Sequence, residues 1–182
     1  MPISDAAITP PCKATVVVPL VVDLREAPDH IGVKHLFGMD TGKVFPDRNV
    51  AVWLRERLKT ELRAAGVNTI RKRGNESAVV VQLLLMRFFS EPVFRWGQYD
   101  YETTLAVRLK LTSAAGEMAD LEYVVTGVAS GQSPGEKNYT PSVEHATAEL
   151  MKRLVPEIIS DTLKTAAAGA ETCSETYEET TR

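Results

Sequence analysis

Residues 38–44 read Gly-Met-Asp-Thr-Gly-Lys-Val, two glycines ahead of a lysine in the manner of loops that cradle nucleotide phosphates. Such a loop needs four residues between its glycines and a Ser or Thr after the lysine to reach magnesium. Here three residues intervene and Val44 stands at the hydroxyl position, so no nucleotide site is expected. Asp29, His30, His35 and Asp40 carry groups that ligate metals, yet their spacing matches no standard ligand set and fits a solvated loop better. Asp23, Arg25, His30 and Asp40 near one sheet end form the alternative constellation, that of a small-molecule or metal-dependent enzyme. There is no Gly-x-Ser-x-Gly elbow. Cys12 and Cys173 lie in opposite tails without CxxC or Cys/His spacing, where no neighbouring base is preorganised. The expectation is a protein that is not an enzyme, with no catalytic residues, cofactor or metal.

The elements that would position these residues follow from composition and periodicity. At 182 residues, 44% hydrophobic and 25% charged, the chain can close one core, whereas two domains would leave both small. A net charge of -3 supplies no basic field for nucleic acid, and Arg71-Lys72-Arg73 beside Gly74 reads as a solvated loop. No segment approaches the roughly 20 apolar residues that span a bilayer. Residues 1–12 read as an extended leader, 13–168 as a single α/β domain, and the acidic residues 169–182 as a disordered tail.

Lys13 to Leu24 is a buried strand in which Pro19 demands a bulge or one-sided pairing. Arg25 to Asp47 is too long for a structureless connection. Ile31, Val33, His35 and Phe37 alternate, Met39-Asp40-Thr41-Gly42 has turn chemistry and Lys43-Val44-Phe45 returns, which predicts a hairpin arm. Asp47 or Asn49 caps a helix whose Val50, Trp53, Leu54, Leu58, Leu62 and Ala65 share a face, and Gly66 stops it. Ala78 to Phe89 reads as a central strand. Tyr99 to Thr112 and Glu117 to Ala129 alternate as a hairpin around Ala114-Ala115-Gly116, with Leu109 opposite Leu121, Val107 opposite Tyr123, Arg108 opposite Glu122 and Lys110 opposite Asp120. A last helix follows Thr140-Pro141, its stripe running from Val143 to Leu163 and Pro156 kinking or splitting it. The fold expected is α+β, a two-layer sandwich of a four-stranded mixed sheet with two long helices on one face, in the order β-α-β-β-β-α.

Half of the aromatics fall between Phe88 and Tyr101, with Arg87 and Arg95 among them. Such clusters either cap a core or serve a contact surface. Phe94 and Trp96, in the connection itself, and Phe37 and Phe45, in the arm, are the candidate partner-binding residues.

Asp23-Leu24-Arg25, His30-Ile31-Gly32-Val33-Lys34, Phe37-Gly38-Met39-Asp40-Thr41, Asn49 to Leu54 and Glu61 to Gly66 together resemble the YajG-like envelope lipoproteins of bacteria. The resemblance implies a periplasmic, lipid-anchored, non-catalytic accessory domain and carries over no catalytic residues. Pro11 before Cys12 departs from the small residue expected ahead of an acylated cysteine. An anchor would therefore lie upstream, placing the domain in the periplasm or at the outer membrane, or the chain is a cytoplasmic relative. The partner expected is another envelope protein. Cys12 and Cys173 are left either bridged or free.

Overall fold

The computed structural model describes residues 15–36, 39–70, 78–95, 97–131 and 139–179, with the side chains of residues 36 and 166–179 outside the described set. Cys12, Phe37, Arg71-Lys72-Arg73, Trp96 and the Cys173 side chain therefore fall outside it. Eight strands and two helices follow in order: β1 (Thr15–Val17), β2 (Val22–Asp23), β3 (Gly32–Leu36), β4 (Met39–Val44), α1 (Val50–Ala64), β5 (Asn68–Ile70), β6 (Val79–Arg95), β7 (Gln98–Ser113), β8 (Gly116–Gly131) and α2 (Tyr139–Glu179). The fold is mixed α+β, but the sheet has eight strands, not the four expected.

The long strand β6 is its spine. Along one edge β1, β2 and β3 pair with it in succession, all parallel, and along the other runs antiparallel β7, followed by β8. β5 adds outside β1 and β4 outside β3. Of the extra strands, β3 and β4 are the expected hairpin arm, here joined to the sheet at Ser90, β1 and β2 divide one expected strand, and β5 is a three-residue piece whose apolar period is too brief to read. β1 and β2 are the two halves of the strand expected from Lys13 to Leu24. Val17 pairs with Val80 and Val22 with Leu84, so five steps on one strand face four on the other, and the surplus residue falls around Pro19 as a donor-free residue requires.

Three further register shifts shape the sheet, between Lys34 and His35 in the arm, at Met86 of β6 and at Met118 of β8. Inward residues of β6 are Val79, Val81, Leu83 and Leu85, then Phe88, Ser90 and Pro92. The pairing skips Met86, which reverses the alternation halfway along and adds twist there. Pro92 is tolerated because β3 reaches β6 only at Ser90, leaving no partner for the missing donor. The connection expected between Phe88 and Tyr101 is accordingly mostly strand: Arg95 pairs with Gln98, and Phe94 with Tyr99.

The β7–β8 hairpin has the expected register at all four named pairs. The turn is tighter than expected, with Ala114 and Ala115 between Ser113 and Gly116, and the extra residue sits one step later at Met118. Gly116 has φ 126°, where a side chain would be strained. Lys110 pairs with Asp120 opposite it, but Arg108 departs from its backbone position opposite Glu122. Arg108 reaches diagonally to Asp120 with two bonds of 2.5 and 2.6 Å, and Lys110 approaches the same carboxylate at 3.2 Å. Diagonal neighbours are within range of a long guanidinium, which prefers a bidentate partner.

Both helices lie on the inner face. Leu54, Leu58 and Leu62 of α1 and Leu150, Leu154 and Ile158 of α2 join Val81, Leu83, Leu105, Val107, Leu109 and Leu111 in one core. Asn49 caps α1 by accepting from Val52 N–H at 3.0 Å, and Gly66, at φ 84°, follows its end. α2 is not split at Pro156: the helix runs on through it, held to the core on both sides by Leu154 and Ile158. Its backbone also continues through residues 169–179. The N-terminus of α2 is pinned by a chain of buried hydroxyls, Ser90 to Thr103 at 2.7 Å, Thr103 to Ser142 at 2.8 Å, and Ser142 donating to the Tyr139 carbonyl at 2.9 Å.

Candidate functional site

The N-termini of the two helices meet under the β3–β4 arm, and the space between them is a groove of about 490 Å³. Its lining comes from five elements and the connection before α1. Ile31 precedes β3, Val44 ends β4, Val50 and Trp53 begin α1, Phe88 follows the β6 bulge, and Tyr139 and Val143 begin α2. Trp53 stacks on Phe88 with ring centroids 6.1 Å apart and planes inclined 23°. Tyr139 sets its ring edgewise on Tyr101 at 4.9 Å, and its hydroxyl donates to the Val33 carbonyl at 2.8 Å, tying α2 to the arm. The result is an apolar concavity of the volume usual for ligand or side-chain recognition.

Polar residues form its rim. Lys34, Lys43 and Arg48 stand with Asp47 and Glu144. Arg48 grips Asp47 with bonds of 3.0 and 2.8 Å, which holds the Asp47 carboxyl below its ordinary range and raises Arg48, with Glu144 adding to the latter. Lys43 bonds Asp29 at 3.2 Å, and His30 bonds the same carboxylate at 2.7 Å; His30 first and then Lys43 bring Asp29 down to about 2. Cations and carboxylates are balanced around an apolar floor, which is the anatomy of a contact surface with a dry centre and polar border.

Phe45 projects at this rim and is 65% exposed. Phe94 is 63% exposed but lies at the β6–β7 hairpin end, tilted against Tyr99 at 5.1 Å, and does not line the groove. Phe37 and Trp96 lie outside the described residues. Trp53 was legible as a core residue and Phe88 as part of an aromatic cluster that either caps the core or serves a contact, while Tyr139, at the end of the loop before the last helix, was not singled out. Nothing in their local patterns shows that three separate elements bring them to one opening.

The arm is also built differently from its expected form. Met39 to Gly42, expected as the turn, are instead strand residues paired back to Leu36, His35 and Lys34. At its base the arm belongs to the sheet, since Gly32 pairs with Ser90, and Ile31 and Val44 are in the core. Gly32 is required there, because an added Cβ would overlap the Ser90 carbonyl.

Asp23, Arg25, His30 and Asp40 do not converge on the groove. Arg25 is buried and acts as a clamp on its own loop, bonding Asp23 at 2.9 and 2.7 Å, the Pro28 carbonyl at 3.0 Å and the His30 carbonyl at 3.1 Å. The Arg25 bond holds the Asp23 carboxyl below its usual range. Asp40 pairs instead with His35, at 2.7 Å on the arm. Among the described residues no three His, Cys, Asp or Glu side chains gather as a metal would need, and no helix is long and apolar enough to cross a membrane.

No protein-family model and no curated protein sequence matches the chain. Among solved structures, it is similar to a Xanthomonas campestris protein of the DUF330 family at 14% identity and a TM-score of 0.60, over 86% of this chain and 87% of that one. A hypothetical protein of Chlamydia trachomatis aligns at 12% identity and a TM-score of 0.50, over 85% of this chain and 98% of its own. A minor lipoprotein of Acinetobacter baumannii aligns at 13% identity and a TM-score of 0.46, over 82% and 94%. The first two likenesses show a shared fold.

Proposed function

We propose that the chain is a non-catalytic accessory module of the bacterial cell envelope that holds an apolar side chain of a protein partner in the groove beneath its arm. The observation that carries this reading is the exposed Phe45 at the rim of an aromatic concavity formed by Trp53, Phe88 and Tyr139. An aromatic that stands in water beside an apolar depression suits a contact anchor. The envelope assignment rests on the resemblance of the Asp23 to Gly66 segment to YajG-like lipoproteins. The non-catalytic reading draws support from Arg25, whose donors are spent on loop carbonyls and Asp23, and from Asp40, which belongs to a different part of the arm.

A photo-cross-linking residue at position 45 in the full gene product, with one at position 94 as control, should capture a protein at the first position. That protein, purified, should bind at least tenfold more weakly to Phe45→Ser, the loss expected for an anchor worth about 1.4 kcal/mol or more. The melting temperature should stay unchanged because Phe45 is exposed. An unchanged affinity defeats the groove assignment, and recovery of the chain in the cytosolic fraction defeats the envelope assignment.

A further inference from the structure

We propose that two copies of this chain associate through their β8 strands, running antiparallel about Thr126. β8 is 16 residues long and, among the described elements, pairs only with β7, so its other edge is open. From Ala119 on, its odd-numbered residues face the core and α2, while Asp120, Glu122, Val124, Thr126 and Val128 face outward. Val124 and Val128 are 56% and 46% exposed. Further exposed apolar residues lie across the sheet from Val124. Val22 lies beside Leu84, Met86 bulges next to the Arg87–Ala106–Val124 row, and Leu24 is exposed on the far side. Val22, Leu24, Met86 and Val124 are thus exposed apolar side chains near this edge, the kind of surface that serves an interaction.

The distribution of charge along β8 selects its own copy as the occupant. Glu117, Asp120 and Glu122 all precede Val124, and no acid follows it in the strand. Antiparallel pairing about Thr126 puts Val124 opposite Val128 of the second copy, twice by symmetry, and Glu122 opposite Ser130, with the acidic halves at opposite ends. Pairing about Glu122 would set two carboxylates face to face, and a parallel arrangement would align all of them, each unfavourable. In the single chain, His145 blunts this edge: its Nδ1 lies 2.8 Å from the Val128 carbonyl. Side chains that guard an open strand are a common protection against pairing. His145 is exposed, so turning it outward releases that carbonyl to the Val124 N–H of the second copy.

This surface is the opposite face of the sheet from the groove, so its test is independent of the partner. In the full chain carrying Cys12→Ser and Cys173→Ser, Thr126→Cys should give a disulfide-linked dimer on mild oxidation. Directly opposed residues of an antiparallel pair have Cα atoms about 4.5–5.5 Å apart, inside disulfide reach. Ser130→Cys should not cross-link, because the two sites would stand roughly 26 Å apart along the strands. Sedimentation of the unaltered chain should show a concentration-dependent dimer whose dissociation constant rises at least tenfold with Val124→Glu, at unchanged melting temperature. A monomer at every concentration, a dimer indifferent to Val124→Glu, or equal cross-linking at both cysteine positions would overturn the proposal.

Discussion

The β7–β8 hairpin and the β3–β4 arm are both antiparallel ribbons of one sheet, but they are held in register by different forces. Along β7, Tyr101, Thr103, Leu105, Val107, Leu109 and Leu111 are all buried beneath the helices. A slip of one residue would expose this whole row and bury Arg108 and Lys110, so burial alone fixes the pairing. Along β4, Met39 to Lys43 are exposed and only Val44 is buried. There the register shifts between Lys34 and His35, and polar contacts keep the strands together: Thr41 to the Lys34 carbonyl at 3.0 Å, His35 with Asp40, and Lys43 with Asp29. One buried face confers precision, whereas a ribbon exposed on most positions depends on its base, where Arg25 and Gly32 fasten it.

The largest effect expected from this difference is at Leu109. Leu109→Ala removes a fully buried side chain from the stronger ribbon and should cost on the order of 2–5 kcal/mol in chemical denaturation. A loss under half a kcal/mol, by the same order-of-magnitude reasoning, would mean that burial does not hold this hairpin.

Next come the two glycines at close approaches. Gly127→Ala would push a Cβ into the Ser142 carbonyl and the Ala146 amide of α2, and should cost roughly 1–3 kcal/mol globally. Gly32→Ala overlaps the Ser90 carbonyl but can be relieved by detaching the arm. It should speed amide exchange across β3 and β4 while lowering the denaturation midpoint less than Gly127→Ala. Equal midpoints for the two variants would erase the distinction between a core-bound ribbon and a fastened one.

A smaller, local effect is expected of Arg25→Ala. Its removal leaves the Pro28 and His30 carbonyls without their side-chain donor, so exchange protection should fall from residue 31 to residue 44 and persist along β7. Protection lost equally from both ribbons would show that the clamp supports the whole fold.

The smallest effects are electrostatic. The Arg108 bond brings Asp120 down to about 2, as His30 and Lys43 do for Asp29. A carboxyl whose folded value lies below its unfolded value stabilises the fold above the unfolded value, and loses that contribution as pH falls toward about 2. Asp29 is exposed and Asp120 half-buried at the surface beside an exposed Arg108, so solvent screening keeps the contribution small. Carboxyl NMR titration should find Arg108→Ala returning Asp120 toward its ordinary value. Lys43→Ala should move Asp29 less, because His30 is its first cause. An Asp120 midpoint that stays low in Arg108→Ala would assign the effect to Lys110.

Local pattern determined more of this protein than its short strands suggest. The β7–β8 register, a cap at Asp47 or Asn49, the stop at Gly66, the inward Leu54, Leu58, Leu62, Leu150 and Leu154 and the irregularity at Pro19 were legible, because each depends on residues adjacent in sequence or repeating at one period, whereas Leu163, expected in the same stripe, is 43% exposed. β5, the eight-stranded count, the phase change at Met86 and the diagonal pairing of Arg108 with Asp120 were not. Three residues at Asn68–Ile70 carry no period, and a bulge or a diagonal bond is chosen by the twist of an assembled sheet. The groove shows the division most plainly. Phe45 was legible as an arm residue free to make a contact, while Trp53 read as core, Phe88 as core cap or contact, and Tyr139 as the end of a loop. Their meeting at one opening is decided by where α1 and α2 begin against β6, and no stretch of sequence encodes a distance between elements that touch only after the chain has folded.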